Sequence, residues 1–318
     1  MANKENIWLI GSGLMAVEYA KVLDTLSCSY TVIGRSVKSC KDFFKLTNVQ
    51  AIEGGVEKYL QTEPAIPKCA IVSVGVESLS EVAILLLNYG VSSILLEKPG
   101  VGYASEIQFL AKLTSEKGAL VFLAYNRRFY ASVIKAKELI ENDGGVSSFQ
   151  FEFTEWSHSI KNLKKTITEH NNWFLGNSSH VIDTAFYLGG SPTEISAYHK
   201  GGLDWHPASS VFAGAGVSDK GALFSYNANW EAPGRWVLEV LTKKHRFIFK
   251  PMEKLQVQDI GSTVVNFVEF DESLDTQFKP GLYLQTKAFI NAEYSNFLNI
   301  HEQMKMIESV YRKMSNYK

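Results

Sequence analysis

The sequence predicts an α/β fold in two parts: a doubly wound parallel sheet, followed by a domain with a mostly antiparallel sheet. Through the first 124 residues, short apolar segments alternate with segments of helical periodicity, a pattern typical of βαβ units. Further along, as in residues 149–154, apolar and polar side chains alternate along each strand. Such strands have one face in water and belong to an antiparallel sheet. This change of pattern divides the chain into domains of residues 1–124 and 125–318.

The predicted strands of the first domain are short apolar runs, such as Ile7–Ile10, which ends at Gly11. Runs of this kind are typical of strands that are buried on both faces. Because right-handed crossovers place helices on both faces of a parallel sheet, we expect a doubly wound arrangement. Its strands are predicted over residues 7–10, 30–33, 70–74, 93–96 and 119–123, with helices between them. The second domain has predicted strands over residues 149–154, 224–230 and 236–241, and helices over 180–187, 281–298 and 301–314.

The length and composition are those of a globular protein with two domains. The chain has 318 residues, 46% of them hydrophobic and 20% charged, so it can bury a sizeable core. Its 32 Lys and Arg residues against 33 Asp and Glu residues give a net charge of -1. This balance argues against nucleic acid or an anionic membrane as a partner. The apolar stretch at residues 7–17 is too short to cross a bilayer, so no membrane span is expected.

The three cysteines, Cys28, Cys40 and Cys69, are scattered along the chain and odd in number. An odd count cannot complete a disulfide framework, which favours a reducing, cytoplasmic location. No group of cysteines and histidines has the spacing of zinc ligands, and no metal site is predicted.

A glycine turn directly follows the first predicted strand, in a place where dinucleotides bind. Gly11 permits the tight turn, Gly13 lets the backbone approach a pyrophosphate, and Ala16 lets the next helix pack closely on the sheet. The turn lies between an apolar strand and a periodic helix, which is the context that such a motif requires. It therefore predicts a Rossmann domain that binds NAD or NADP through Gly11-Ser12-Gly13-Leu14-Met15-Ala16.

The end of the second strand indicates which dinucleotide is preferred. An NAD site commonly has Asp or Glu at this point to bind the ribose hydroxyls. This chain has Gly34-Arg35-Ser36 instead. A guanidinium can pair with the 2′-phosphate of NADP, and a serine hydroxyl can donate to it. We therefore expect NADP to be preferred over NAD; the alternative is that Arg35 is a solvated turn residue.

Further predicted cofactor residues lie at the ends of later strands. Ser73 and Val74 end the strand over residues 70–74, and Asn126 follows the last strand of the first domain. Asn126 could bond the carboxamide of the nicotinamide ring. The strand over residues 93–96 ends at Glu97-Lys98-Pro99, where a lysine can point at the nicotinamide and the proline fixes the turn. The Lys98–Pro99 bond is one that can be cis.

Five short motifs in a fixed order span nearly the whole chain: Gly11 to Ala16, Glu97-Lys98-Pro99, Asn126-Arg127-Arg128-Phe129, Ser179-His180-Val181-Ile182-Asp183 and Gly281-Leu282-Tyr283-Leu284-Gln285. With these motifs, the sequence resembles the glucose-fructose oxidoreductase, inositol dehydrogenase and rhizopine-catabolism (Gfo/Idh/MocA) family. The resemblance implies a Rossmann domain followed by an α/β domain with a large, mostly antiparallel sheet. It implies oxidation or reduction of a sugar, sugar derivative or polyol with NAD(P), and pairing into homodimers or homotetramers through that sheet.

Lys98 and His180 are the predicted catalytic residues. Oxidation of an alcohol releases a hydroxyl proton, and a histidine titrates in the range suited to accepting it. Lys98 could bond the reacting oxygen and stabilise a developing alkoxide. The alternatives are an exposed loop lysine and a histidine that is hydrogen-bonded in the domain interface. Asp183, one helical turn after His180, either orients its ring or faces solvent.

One position departs from the family pattern. Many family members have an aspartate four residues before the histidine, and this chain has Gly176 there. Asn177 and Ser179 could still bind or orient a sugar, although neither is a base at neutral pH. Arg128 could hold a phosphate or carboxylate of the substrate, or tie the two domains together. The leading interpretation is an NAD(P)-dependent sugar oxidoreductase; the alternative is a non-catalytic NAD(P)-binding regulator of the same fold.

Overall fold

The computed structural model describes residues 6–315, and their contacts form two compact units. The first unit contains the described residues through Asn126 together with Leu274–Met304. The second contains Arg127–Ser273 and the described residues from Lys305 onward. The sequence pattern predicts a single division, between residues 124 and 125. In the structure, the chain returns to the first unit over residues 274–304.

The first unit contains a parallel sheet whose strands are apolar and almost fully buried. Its parallel strands are β1 (Ile7–Ile10), β2 (Tyr30–Ile33), β3 (Ala51–Ile52), β4 (Cys69–Val72), β5 (Ser93–Leu96) and β6 (Leu120–Leu123). β1 carries Trp8 and Leu9, both with no exposed surface, and β4 is buried at all of its positions. The strands lie in the order β3-β2-β1-β4-β5-β6, and all of these neighbours are parallel. This is the doubly wound order that the sequence predicts.

Helices connect these strands, as the predicted βαβ pattern requires. The helix after the glycine turn buries Ala16, Tyr19 and Leu23 against the sheet. The helix before β5 is closed by Gly90, which has a φ of 107°. The five helices of this stretch are α1 (Leu14–Thr25), α2 (Val37–Thr47), α3 (Gly55–Leu60), α4 (Leu79–Tyr89) and α5 (Glu106–Glu116).

In the part of the chain that the structure describes, the second unit is built on an eight-stranded sheet. Its strand order is β14-β13-β12-β11-β7-β10-β9-β8. β7 and β10 are parallel, and the other neighbouring pairs are antiparallel. The predicted mostly antiparallel sheet is therefore confirmed. Its strands are β7 (Ser148–Glu152), β8 (Pro192–Lys200), β9 (Val211–Ser218), β10 (Leu223–Asn229), β11 (Val237–Leu241), β12 (His245–Phe249), β13 (Gln256–Asp259) and β14 (Val265–Phe267).

One face of this sheet forms an aromatic core. The Phe149 ring stacks on Phe224 with 5.3 Å between centroids, and the Phe151 ring stacks on Tyr226 at 5.4 Å. Phe186, on the helix that covers this face, meets Phe151 edge to face at 5.6 Å. The alternation in the sequence thus places apolar side chains under the helix and polar ones on the other face. The helices here are α6 (Ala131–Asn142), α7 (Ser157–Ile160), α8 (Ile167–Asn171) and α9 (Ser179–Gly189).

The last part of the chain contains α10 (Ser273–Gln277), α11 (Leu282–Ile290), β15 (Leu298–Asn299), α12 (Ile300–Met306) and α13 (Arg312–Ser315). The helix predicted over residues 281–298 is wrong in its second half, because α11 ends at Ile290 and Ala292 has a φ of 59°. β15 then pairs antiparallel with β6 and extends the parallel sheet. The predicted helix over residues 301–314 is confirmed, with a π-helical segment over Ile307–Tyr311.

Candidate functional site

The strand order of the parallel sheet reverses between β1 and β4, and the glycine turn lies at this point. The Ser73 backbone N–H donates to the Ile10 carbonyl at 2.8 Å, which brings the ends of β1 and β4 together. A Cβ atom on Gly11 would lie 2.5 Å from the Ser73 carbonyl oxygen, and the φ of Gly11 is 119°. Only glycine fits both conditions. The turn therefore opens into the crevice where doubly wound sheets bind ligands.

Gly13 is the N-cap of α1, and no side chain caps this helix. A Cβ atom on Gly13 would meet no described atom within 4 Å, so packing within the protein does not require glycine here. The open space lies beside the unpaired backbone N–H groups of the first helical turn. These groups and the positive end of the helix dipole favour an anionic oxygen, such as that of a pyrophosphate.

The turn borders a cleft of about 450 Å³. Most of the predicted dinucleotide residues after β1, β2 and β4 line it, which brings together side chains that are far apart in sequence. The predicted residues in the cleft are Gly11, Ser12, Gly13, Arg35, Ser36, Ser73 and Val74. Sequence reasoning missed other lining residues, although a Gly-Gly pair following an apolar segment could have indicated some of them. These include Ser39, Gly54, Gly55, Glu57, Ser78 and Glu81.

Three hydroxyl groups form a chain along one wall of this cleft. The Ser12 hydroxyl donates to Ser39 Oγ at 2.8 Å, and Ser39 Oγ lies 2.8 Å from Ser36 Oγ. Ser36 is the N-cap of α2, where its hydroxyl accepts a bond from the Ser39 N–H. Arg35 is exposed, and its Nη1 lies 3.5 Å from Ser78 Oγ across the cleft. Hydroxyls, a helix N-terminus and a guanidinium thus surround the position beyond β2.

The Glu97-Lys98 pair lies at the end of β5. The Tyr19 hydroxyl, in α1, donates to Glu97 Oε1 at 2.9 Å. Removal from water raises the pKa of the Glu97 carboxyl, while Lys98, the Tyr19 hydroxyl and Lys279 act in the opposite direction. Lys279 was not predicted from the sequence; its Nζ lies 2.9 Å from Met15 Sδ in the glycine turn. The Lys98–Pro99 bond is cis.

A buried glutamine holds the turn that follows Lys98. Gln303, with no exposed surface, donates its side-chain amide to the Pro99 carbonyl at 3.0 Å and to the Tyr125 hydroxyl at 3.2 Å. The neighbouring Asn126 is buried and donates its side-chain amide to the Pro280 carbonyl at 2.9 Å. The predicted role of Asn126 toward a nicotinamide carboxamide stays a prediction, with one of its N–H groups already engaged.

His180 lies near the start of α9 in the second unit, and 8% of its surface is exposed. Its ring centroid is 6.3 Å from that of Trp236. Asp183, one turn along, is buried and does not face solvent. The Asp183 carboxylate accepts two bonds from Arg128, from Nε at 2.8 Å and from Nη2 at 2.7 Å. A planar guanidinium makes such paired bonds with a carboxylate, so these donors of Arg128 are committed within the unit. Its substrate role stays a prediction.

A carboxylate that the sequence analysis missed lies beside Gly176. Glu155, just beyond β7, accepts bonds from Asn177 Nδ2 at 2.9 Å, Ser178 Oγ at 2.8 Å and Arg235 Nη1 at 3.1 Å. It is 1% exposed, and burial raises its pKa against the lowering effect of these donors. A Cβ atom on Gly176 would meet no described atom within 4 Å. The position of the family aspartate therefore has room for a side chain.

The two other predicted residues of this segment make contacts of their own. Asn177 and Gly176 belong to a π-helical stretch, Phe174–Ser178, directly before α9. π-Helical turns are frequent at functional sites. Ser179 is fully buried, and its hydroxyl donates to the Leu175 carbonyl. The substrate-binding roles predicted for Asn177 and Ser179 stay predictions.

Neither a metal-binding cluster nor a membrane-spanning helix is found within residues 6–315. No cluster of His, Cys, Asp and Glu side chains in that range could hold a metal ion. None of the helices described there is both long and apolar enough to pass through a membrane.

Comparisons with known proteins identify one relative in sequence and several solved structures with a similar fold. No protein-family model matches the chain. An uncharacterized oxidoreductase of Schizosaccharomyces pombe is 30% identical over 122 residues, which cover 37% of this chain and only 33% of that protein. Levoglucosan dehydrogenase, solved with NADH and L-sorbose, matches with a TM-score of 0.76 at 16% identity, over 97% of each chain. UDP-N-acetylglucosamine 3-dehydrogenase GnnA of Acidithiobacillus ferrooxidans matches with a TM-score of 0.73 at 13% identity, over 96% of this chain and 95% of that one.

At these identities the likeness establishes the fold. It confirms the predicted fold class, a parallel sheet with helices followed by a mostly antiparallel sheet, which the resemblance to the Gfo/Idh/MocA family also implies. The chain shares its fold with the two dehydrogenase structures compared above.

Proposed function

We propose that the chain is an NAD(P)-dependent oxidoreductase that transfers a hydride between the nicotinamide and a hydroxyl or ketone of a sugar, sugar-nucleotide or polyol. The observation that carries the proposal is the glycine turn at the switch point, with an open helix N-terminus facing a cleft of about 450 Å³. The fold shared with a levoglucosan dehydrogenase and a UDP-N-acetylglucosamine 3-dehydrogenase supports carbohydrate as the substrate class.

NADP is the preferred cofactor in this proposal, and NAD is the alternative. Arg35 and Ser36 supply a guanidinium and a helix N-cap hydroxyl beyond β2, where NAD sites commonly present a carboxylate. Two carboxylates, Glu57 and Glu81, also line the cleft. Titration of the protein with NADPH and NADH separates the two cofactors. We expect tighter binding of NADPH; tighter binding of NADH would refute the preference.

Lys98 and His180 are proposed as the residues that carry the chemistry, each in its own unit. When bound, the nicotinamide ring supplies or accepts the hydride. Lys98 donates a hydrogen bond to the reacting oxygen and stabilises negative charge on it. His180 accepts the hydroxyl proton in oxidation and returns it in reduction. Glu97 positions the surroundings of Lys98, since its carboxylate is tied to Tyr19 in α1.

A non-catalytic NAD(P)-binding regulator is the second candidate, and Gly176 is the observation that favours it. The family aspartate is missing there, and the nearby Asn177 directs its amide to Glu155. Retention of both Lys98 and His180 favours the enzyme, because a sensor needs neither. Turnover assays with sugars, sugar-nucleotides and polyols discriminate the two. Tight dinucleotide binding without turnover in any class would support the regulator.

We further propose a cytoplasmic homodimer or homotetramer that associates through the outer face of the eight-stranded sheet. Polar side chains occupy that face, and Gln150 Nε2 bonds Glu239 Oε2 across it at 2.8 Å. Aromatic side chains are exposed on the edge strands: Tyr198 of β8 at 72% and Phe267 of β14 at 66%. Light scattering after size-exclusion chromatography tests the assembly. A monomer at micromolar concentration would refute it.

A further inference from the structure

Two guanidinium groups lie over one tryptophan ring in the second unit. The Cζ atoms of Arg127 and Arg235 are each 4.6 Å from the centroid of the Trp236 ring. Trp236 is 6% exposed, and its ring also lies 6.3 Å from the ring of His180. Two cations on one ring repel each other, although each is attracted by the π-electrons. The predicted proton-transfer residue and the pair of positive charges therefore share Trp236 as a neighbour.

Arg127 makes no salt bridge with any residue from 6 to 315. Its Nε is buried and has no hydrogen-bond acceptor within that range. Burial lowers the pKa of Arg127, and the charge of Arg235 lowers it further. The charges of Glu253 and Glu155 attract it, and its Cζ lies 5.6 Å from the centroid of the Tyr130 ring, but no salt bridge joins its guanidinium to either glutamate within residues 6–315. An arginine left partly desolvated without a bonded counter-ion costs free energy, which a bound anion would recover.

The carboxylate that is ion-paired with Arg235 is already engaged. Glu155 Oε2 lies 3.1 Å from Arg235 Nη1, while Glu155 Oε1 accepts bonds from Asn177 and Ser178. Glu253 is exposed, so water and salt screen its charge. The Nε1–H group of Trp236 is also buried without an acceptor among the described residues. Donors thus exceed acceptors around the Trp236 ring.

We propose that Arg127 and Arg235 form an anion-binding subsite, so that the substrate of this enzyme carries a carboxylate or phosphate. This rests on the proposed function for the sugar part of the substrate. The guanidinium is planar and presents paired N–H groups that match two oxygens of either anion. A sugar acid and a nucleotide-linked sugar both provide such oxygens. The subsite gives Arg127 and Arg235 the kind of anion recognition that the sequence suggested for Arg128, whose Nε and Nη2 donate to Asp183.

Calorimetric titration of the full chain, with and without NADPH, tests the subsite. The probes are D-glucose, D-glucuronate, which adds a carboxylate, and UDP-glucose, which adds a diphosphate. The variants are Arg127→Gln and Arg235→Gln. Arg246→Gln is the matched control, because Arg235 and Arg246 have equally exposed side chains at 43% and each lies near one glutamate. The two anionic probes distinguish a sugar acid from a nucleotide sugar.

We expect at least one anionic probe to bind tenfold or more tightly than D-glucose. Each of the two variants should remove most of that advantage, while Arg246→Gln retains it. The inference is overturned if neither anion binds better than glucose, or if the advantage survives in both variants. A lower melting temperature with unchanged anion affinity would assign the pair a purely structural role and also overturn it. If Arg127→Gln does not fold, the anion affinity of Arg235→Gln decides the test, because the Arg235 side chain is half-exposed.

Cofactor titration of the same preparations separates this inference from the proposed function. An anion affinity that depends on the two arginines, without binding of NADPH or NADH, would contradict the oxidoreductase and leave the subsite in place. Cofactor binding with turnover of neutral sugars alone would support the oxidoreductase and contradict the anion-binding subsite.

Discussion

At the scale of single residues, the charge beyond β2 is the basis of the proposed preference for NADP. A carboxylate there would bond the ribose hydroxyls and repel a 2′-phosphate, whereas the role proposed for Arg35 is to attract that phosphate. Ser36 and Ser39 add hydroxyls at the start of α2. The sequence identified Arg35 and Ser36 because they directly follow a strand. Ser39 was missed because it reaches the cleft from inside a helix.

Replacement of Arg35 by alanine should weaken NADPH binding about 10- to 100-fold. A charge-assisted hydrogen bond contributes about 1.5–3 kcal/mol, and each 1.4 kcal/mol is about a factor of ten. Binding of NADH, which lacks the phosphate, should change little. Fluorescence titration with both cofactors measures this. Lys38→Ala removes an exposed cation of α2 that does not line the cleft and is the control. Equal losses for NADPH and NADH would contradict the role of Arg35.

Glu97 should make the stability of the protein depend on pH. Burial raises its pKa above the ordinary value of 4.5, so the folded protein keeps a proton that the unfolded chain has lost. The free energy of unfolding therefore falls as the pH rises from 4.5 to the raised pKa, by at most about 1.4 kcal/mol per pH unit. Glu97→Gln should remove the part of this fall that Glu97 contributes, while the buried Glu155, whose pKa is also raised, keeps its own part.

Urea denaturation across that pH interval, compared with the wild type, is the measurement for Glu97. Glu138→Gln, at an exposed glutamate of α6, should keep the wild-type slope. A slope in Glu97→Gln identical to the wild type would show that Glu97 does not carry the effect.

The buried Arg128–Asp183 pair should stabilise the second unit. Its side chains are only 10% and 3% exposed, so loss of one partner leaves a buried charge without its counter-ion. Arg128→Ala is expected to lower the free energy of unfolding by about 3–5 kcal/mol. Lys21→Ala, which removes an exposed pair with Glu18, should cost less than about 1 kcal/mol. Chemical denaturation measures both variants, and similar small losses would place Arg128 outside the core of the unit.

At the scale of elements, a contact between distant segments positions the predicted catalytic lysine. Gln303 in α12 bonds the Pro99 carbonyl directly after Lys98, and also the Tyr125 hydroxyl after β6. Local sequence cannot show this bond, because its partners are 204 residues apart. Gly100 reinforces the turn, since a Cβ there would lie 2.6 Å from Leu123 Cδ1. Contacts with α12 and with the end of β6 therefore hold the turn after Lys98 in place.

Gln303→Leu should lower kcat by about tenfold or more with little change in the affinity for NADPH. A misplaced catalytic group loses rate because the reacting atoms are no longer aligned. Gln303 does not line the dinucleotide cleft, so cofactor binding provides the contrast. Steady-state kinetics separate kcat from KM, and Gln303→Glu, which keeps the side-chain length, shows whether the amide donor is the required group. An unchanged kcat in both variants would exclude a positioning role.

The elements that the sequence predicted correctly are those with a strong local pattern. β1, β2 and β5 begin and end at the predicted residues, because each is an apolar run next to a loop signal. β3 and β15 have only two residues each and were missed. β15 forms because Leu298 and Asn299 pair with β6, a contact far away in sequence. The helix predicted after Gly281 was also too long, because the helical periodicity of the sequence continues past Ile290, where the helix ends.

At the scale of the whole molecule, the two units are interleaved along the chain. A single change of pattern marks the end of the first six strands, but it cannot show that residues 274–304 join the first unit. β15 pairs with β6 and α11 packs on α1, and these contacts hold that segment in place. The same limit applies to the site. The bond between Glu155 and Arg235 could not be predicted from the sequence, because it forms only where the sheet brings the end of β7 and the start of β11 together.

The wild-type protein and Lys98→Ala, assayed for both cofactor binding and hydride transfer, provide the most direct test of the proposed enzyme. The substrates are sugars, sugar acids, sugar-nucleotides and polyols, and the readout is the absorbance of the reduced nicotinamide. We expect turnover in the wild type with at least one class. Lys98→Ala should lose about 10²- to 10³-fold or more in kcat while it still binds NADPH, because a donor to the reacting oxygen is removed. Tight NADPH binding by the wild type without turnover in any class, or full turnover in Lys98→Ala, would contradict the proposal.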